Sequence, residues 1–487
     1  MGSISRHAAI PSLGSTAAHQ PPGQKSLCLH EPQCLAHPAG LYWRDGGAMS
    51  SKLLRRARIV CVIVGILVIC ATNAARAQLI DQYLNTNIPG YNVEPGVTVT
   101  SRLRPEYDYP GIRLGDIVFQ PELAEGVGFD SNAAGSQSPR SSSFLETLGT
   151  MKATSDWQSD SFTAGLTVDN DRYFELPRQS YTNWTGEVAG THEFGRDVLS
   201  ASYVHLNLNE TPIDLDVPQV DTPIAYQVDD VRTSYNAKFN ALGLQPGLEL
   251  TSFRYQNGTV LGVPYQQTYR NRLVFTPSLT VSYELAPLRN LLFVISDSDA
   301  HYTDQPAGLA TRNFNDKLVL GGIDYDTGGP IRLRALAGYE LRNFSSSQYP
   351  TISSPVAEVS AIWTATGLTT VTGTVAHYIE DSASETTVGL TSTAVKLAVD
   401  HEYLRNVLLN GSAAFIANSY QQNQGNQSYL QLSVGVTWLI NQYMRLAGRY
   451  DYSTRQSSVP NGGLGAGQTV GGNYSDNRFL LQLRIGL

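Results

Sequence analysis

From Ile112 to the last residue the chain repeats one pattern: stretches of ten to nineteen residues with alternating apolar and polar side chains. Side chains alternate faces along a strand, so each stretch makes a ribbon with one greasy and one wetter face. The alternation predicts strands at 112–130, 141–157, 160–174, 181–194, 198–209, 227–243, 248–257, 268–286, 291–303, 313–326, 331–345, 354–365, 369–380, 385–403, 407–419, 427–440, 443–454 and 474–487. That is eighteen; merging or splitting a pair gives sixteen or twenty. The connections sort by parity. Tight turns such as Gly195-Arg196-Asp197, Gln245-Pro246-Gly247 and Leu404-Arg405-Asn406 follow even strands. Longer Ser-, Asn-, Gln- and Gly-rich loops such as 131–140, 210–226 and 455–473 follow most odd ones. A sandwich or propeller has no reason to sort loop length by parity. Short turns at one end and long loops at the other is the plan of a transmembrane antiparallel up-and-down β-barrel.

The two faces fit lipid outside and water inside. Strand 427–440 carries Leu430, Leu432, Val434, Val436, Trp438 and Ile440 on one face, against Tyr429, Gln431, Ser433, Gly435 and Thr437 on the other. Strand 268–286 sets Leu273, Phe275, Leu279 and Val281 against Arg270, Arg272, Thr276 and Ser278. Unpaired polar groups are costly in a dry interior, so a water-filled lumen is expected. The closing strand places Phe479, Leu481, Leu483, Ile485 and Leu487 on one face, a lipid contact and the expected assembly signal for the barrel assembly machinery. No apolar run after residue 77 reaches the length of a membrane-spanning helix, so a barrel is the membrane solution open to this chain.

The first part of the chain is different. Residues 1–48 are proline-rich and aperiodic, expected to be disordered or to follow from an upstream start codon. After Met49 come Lys52, Arg55, Arg56 and Arg58, then the apolar run Ile59 to Ala71, then Ala75-Arg76-Ala77. This is the layout of a secretory signal peptide over 49–77, cleaved after Ala77. All four cysteines precede that cut, so thiol chemistry and Cys-based metal sites are excluded from the mature chain. Eight of the 34 basic and two of the 42 acidic residues also precede it, leaving 26 against 40 and a net charge of −14. Such acidity argues against nucleic acid as a partner. Residues 78–111, with Pro89, Pro95, Pro105 and Pro110, read as an irregular periplasmic lead-in or plug, and 112–487 as the barrel.

Candidate chemistry lies on the inner face. Arg270, Arg272, Arg332, Arg334, Arg342, Arg445, Arg449, Arg478 and Arg484 are lumen-lining candidates. A row of guanidinium groups could guide an anionic or hydroxyl-rich solute, or pair with inward carboxylates and stiffen the wall. The histidines after residue 77 (His192, His205, His301, His377 and His401) have no metal-ligand spacing, and no nucleophile elbow, phosphate loop or dinucleotide fingerprint occurs. Ser202 and His205 fall on opposite strand faces. The sequence therefore predicts no catalytic residues, no metal and no cofactor.

Several stretches carry a family resemblance. They are Ser101-Arg102-Leu103-Arg104-Pro105-Glu106-Tyr107-Asp108, Trp363 to Gly373, Val399 to Val407, Arg449-Tyr450-Asp451-Tyr452 and Tyr474 to Leu487. Over about 100–487 the chain resembles the putative beta-barrel porin 2 family of outer-membrane proteins. The resemblance implies a Gram-negative outer-membrane location and an association with exopolysaccharide systems. It implies no catalytic residues. The expected function is a passive conduit for exopolysaccharide, with a general or solute-selective porin and a structural partner of periplasmic export proteins as alternatives.

Overall fold

The computed structural model describes residues 97–487, apart from 156, 218–219, 261, 385–386, 422–424 and 460–470. Residues 1–48, the signal segment with Ala75 and Ala77, and 78–96 lie outside the described residues.

Eighteen antiparallel strands close into one barrel. They are β1 Ile117–Asp130, β2 Ser142–Ser155, β3 Asp160–Tyr173, β4 Tyr181–Phe194, β5 Asp197–Glu210 and β6 Ile224–Phe239. Next come β7 Leu242–Tyr255, β8 Arg272–Ala286, β9 Arg289–Tyr302, β10 Phe314–Asp326, β11 Ile331–Phe344 and β12 Ile352–Thr366. The last six are β13 Thr369–Asp381, β14 Gly389–Leu404, β15 Val407–Tyr420, β16 Asn426–Leu439, β17 Met444–Ser457 and β18 Tyr474–Gly486. Each strand pairs with its sequence neighbours, and β18 closes on β1 from Glu122↔Gly486 to Asp130↔Arg478. Closure leaves no open edge, as a wall in lipid requires.

The parity rule holds throughout. Connections 195–196, 240–241, 287–288, 367–368 and 405–406 are two residues each, all at the end where Leu487 lies. Connections 131–141 and 303–313 lie at the other end, where the strand ends flanking the longer connections of 13, 16 and 16 residues after Glu210, Tyr255 and Ser457 also lie. We call these the short-turn end and the long-loop end.

The largest departures from the sequence reading are at two places. The hairpin after β6 turns at Asn240-Ala241, with Asn240 at φ 53°, rather than at Gln245-Pro246-Gly247. Asn tolerates the left-handed region, so a two-residue turn forms there. Pro246 then lies inside β7, where the β6–β7 pairing skips two positions between Ser234↔Gly247 and Ala237↔Leu244. The predicted first strand 112–130 is also split. Ile112–Leu114 folds back on Ile117–Phe119 through a turn at Gly115.

The outer face is apolar: Val127, Phe129, Phe275, Val434, Phe479 and Leu481 are each 45–61% exposed. The inner face is less uniformly polar than expected. Leu292, Val294, Leu320, Leu336 and Val356 form a buried apolar cluster on the inner side of β9–β12. The wall is pinched beside it. A Cβ on Gly322 would lie 1.9 Å from Ala335 O, and one on Gly338 would lie 1.8 Å from Val319 O. The close backbone approach requires glycine and lets inward apolar residues pack against one another rather than line open water.

Two segments of chain enter the lumen. Residues 97–111, which the sequence placed in a lead-in, sit at the short-turn end against β13, β14 and β17. Residues 211–217, from the connection between β5 and β6, enter from the long-loop end.

Candidate functional site

The segment 211–217 reaches the far side of the ring. Ile213 and Leu215 are buried against Ala394 of β14, Ile416 of β15, Tyr429 of β16 and Tyr474 of β18. Tyr474 Oη donates to Ile213 O at 2.8 Å, and Arg455 Nη1 donates to Asp214 O. Asp216 is the hub. Its backbone, at φ 53°, takes a left-handed conformation that non-glycine residues adopt rarely. Its N–H donates to Gln427 Oε1 at 2.8 Å. Its carboxylate accepts from Tyr420 Oη at 2.7 Å, Ala383 N at 2.5 Å and Ser382 Oγ at 3.2 Å. Burial nevertheless dominates and pushes its pKa from 3.8 up to about 6.

A second connection meets it. Arg312 donates from Nη1 to Ser384 O at 2.9 Å and from Nη2 to Ser382 O at 2.6 Å. Tyr269 Oη donates to Ala383 O. Residues 382–384 are thereby drawn inward to the Asp216 carboxylate, and with residues 214–217 they border one cavity.

Beneath these residues is a cavity of about 290 Å³ against β5–β11 and β13. Its polar groups are tied to one another. Arg270, which lies in a 3₁₀ turn before β8 and not in the strand, donates to both oxygens of Glu210 at 2.7 Å. Its guanidinium lies 3.9 Å from the Tyr255 ring centre. Arg272 places Nε 3.0 Å from Asp381 Oδ2 and stacks 3.9 Å over Phe253. Arg342 donates to Asp316 from Nε at 2.9 Å and Nη2 at 2.8 Å, and to Asp381 at 2.7 Å. Asp381 thus joins β8, β11 and β13 across the lumen.

The other predicted arginines also have acidic neighbours. Arg332 lies 2.8 Å from Asp326 and Arg334 2.7 Å from Glu358. Arg449 lies 2.7 Å from Asp451, and Arg484 3.7 Å from Glu122. Arg478 bridges Glu146 at 3.0 Å and Asp171 at 2.9 Å. Glu146, Asp169 and Asp171 place oxygens within 4.8 Å of one another, a spacing that could suit a cation, with the Arg478 guanidinium already supplying positive charge there. Arg445 finds its partners in the inserted segment, 4.0 Å over the Tyr109 ring, donating to Tyr107 O at 3.2 Å and 4.0 Å from Asp108 Oδ1. The structure thus divides the nine into three groups: the cavity arginines, the paired wall arginines, and Arg445 at the short-turn end.

At that end Arg104 donates to Glu402 Oε2 at 2.6 Å and to Val99 O at 2.9 Å, with both charged side chains 5% exposed or less. Val99 N donates to Thr370 Oγ1 at 3.0 Å. Tyr109 packs against Gly486, where a Cβ would be 2.6 Å from its ring. Burial, followed by the Glu122 carboxylate, pushes the Tyr109 hydroxyl up to about 12.

Sequence reasoning missed Asp216, Arg312, Arg104, Glu402 and Arg455. All but Glu402 and Arg455 lie outside barrel strands. The available signal was the loop itself: Asp214, Asp216 and the apolar Ile213, Leu215 and Val217 alternate within 210–226. On the outer face His205 Nδ1 lies 2.7 Å from Asp229 Oδ1, but Ser202 is on the opposite face.

A sequence search of curated proteins finds no match. Among solved structures the chain is similar to OpdK of Pseudomonas aeruginosa, determined with vanillate, at TM-score 0.41 and 10% identity over 77% of this chain and 100% of that one. It is similar to OccAB3 of Acinetobacter baumannii at TM-score 0.42 and 9% identity, over 77% and 100% of the two chains. It is also similar to the FrpB iron transporter of Neisseria meningitidis at TM-score 0.38 and 9% identity, over 77% and 82%. The description "Putative beta-barrel porin 2" belongs to the family whose profile matches residues 104–485, nearly the whole barrel together with the end of the inserted segment. With a closed eighteen-stranded wall and a lumen of paired charges behind that match, the chain belongs to the putative beta-barrel porin 2 family.

Proposed function

We propose that the protein is an outer-membrane channel for small polar solutes, narrowed by its own chain at both ends. One observation carries the reading. Residues 213–217 are seated on the wall opposite their own strands by Tyr420, Gln427, Arg455 and Tyr474. A loop held inside the lumen sets a size limit, which favours small solutes as cargo. The long-loop end then faces the exterior and the C-terminus the periplasm. The outward row from Phe479 to Leu487 contacts lipid and is read by the assembly machinery. The porin family points to a channel rather than an enzyme.

An exopolysaccharide chain, the cargo implied by family resemblance, would have to unseat those bonds. The two cargos separate in planar bilayers. A small-solute channel conducts ions and passes mono- and disaccharides while host polymer leaves its current unchanged. Block of the current by host polymer would support export, and a silent barrel that co-purifies with periplasmic polymer machinery would support a structural role.

A further inference from the structure

The cavity beneath residues 214–217 contains more negative than positive groups. Four arginines line it (Arg270, Arg272, Arg312 and Arg342) against eight carboxylates. The arginines are also occupied. Arg270 spends both terminal nitrogens on Glu210, Arg342 is shared by Asp316 and Asp381, and Arg312 donates both terminal nitrogens to main-chain oxygens. An entering anion would have to displace a carboxylate already in place. An entering cation finds acceptors left over. Glu340 receives the Ile379 N–H at 3.2 Å, approaches Arg342 at a longer 3.6 Å and otherwise faces the Asp316 carboxyl. Asp316 Oδ1 is buried beside that carboxyl and receives no N–H donor among the described residues.

We propose that this cavity is a binding site for small organic cations bearing a primary ammonium group, held by Asp316 and Glu340. An ammonium group is donor-only and has three hydrogens, which suits two facing carboxyls that have lone pairs to spare. It also lowers the excess negative charge of a partly enclosed site, where charge pairs are less screened than in bulk water. The proposal rests on the channel reading for how the ligand arrives, but binding itself does not require conduction.

The test is calorimetry on the full protein in detergent, with 1,4-diaminobutane, succinate and 1,4-butanediol as probes. The expected result is binding of the diamine and of neither other compound. Glu340→Gln keeps an acceptor for Ile379 and leaves Arg342 its two aspartates, so the barrel should fold and show normal heat-modifiable migration. It should weaken diamine binding about tenfold, the loss of one charge-assisted contact. Asp316→Asn should weaken it further. Succinate binding in place of the diamine, no diamine binding, or unchanged affinity in a folded Glu340→Gln protein would each overturn the proposal. Bilayer conduction without diamine binding removes this inference and leaves the channel reading. Diamine binding to a barrel that never conducts does the reverse.

Discussion

Tyr420 Oη donates to Asp216 Oδ1 at 2.7 Å although the two residues are 204 positions apart in the chain. Asp216 belongs to the connection after β5, whereas Tyr420 ends β15 on the far side of the ring. The bond therefore crosses the lumen and holds the inward loop.

Tyr420→Phe removes that donor and leaves a buried carboxylate short of a partner. Such a loss costs about 1–3 kcal/mol for a bond to a charged group. The loop should detach more often, and single-channel conductance should rise and fluctuate more. Conductance and noise identical to the parent protein would show that the loop is held elsewhere.

Acid should strengthen the same closure. The seated Asp216 has its pKa raised from 3.8 to about 6 by burial. A raised acid favours the seated state when protonated, so the stabilisation is complete below about 4 and is lost as pH climbs through about 6. Its size is of order 3 kcal/mol. The groups facing this carboxylate are Tyr420, Ser382, the Ala383 N–H, Arg270 and Glu210. Conductance should fall between pH 7 and 4.5, and Asp216→Asn, permanently uncharged, should lose most of that response. A pH profile that Asp216→Asn leaves intact would falsify the assignment.

At the short-turn end the latch is Arg104 on Glu402, both almost fully buried. Glu402→Ala leaves the Arg104 charge uncompensated, a loss of about 3–5 kcal/mol for a buried pair. Segment 97–111 should come loose while the barrel stays closed. Protease cleavage near Arg102 and Arg104 in folded protein checks this. Equal protection in both proteins would mean that the segment is held by Val99 and Tyr109 instead.

Gly322→Val should block assembly. Its Cβ would fall 1.9 Å from Ala335 O, in the backbone of the neighbouring strand. No rotamer relieves a clash with main chain, so β10 and β11 cannot pair in register. The readout is the loss of heat-modifiable migration. Gly321→Val is the control, because a Cβ there meets nothing within 4 Å.

Deleting 479–487 removes the closing partner of β1 and should abolish membrane insertion. A single Leu481→Arg on the lipid face should be milder, about 2–4 kcal/mol near the bilayer midplane. Unfolding in lipid vesicles with a denaturant series measures the second, and membrane fractionation the first.

The sequence by itself determined the wall. Alternation and turn chemistry are local properties, so strand number, the outward row from Phe479 to Leu487 and the sorting of loops between the two ends were all legible along the chain. The errors were local too. Gln245-Pro246-Gly247 offered turn chemistry, but pairing with β8 carried Pro246 into a strand. The contents of the lumen were decided only by tertiary structure. Alternation places an arginine on the inner face but not which carboxylate it meets, and Arg272 meets Asp381 five strands away. Nor does any local pattern reveal that Asp216 crosses to Tyr420 or that Arg104 reaches Glu402. Those pairings depend on the curvature of a closed ring, which brings residues hundreds of positions apart within a hydrogen bond of one another.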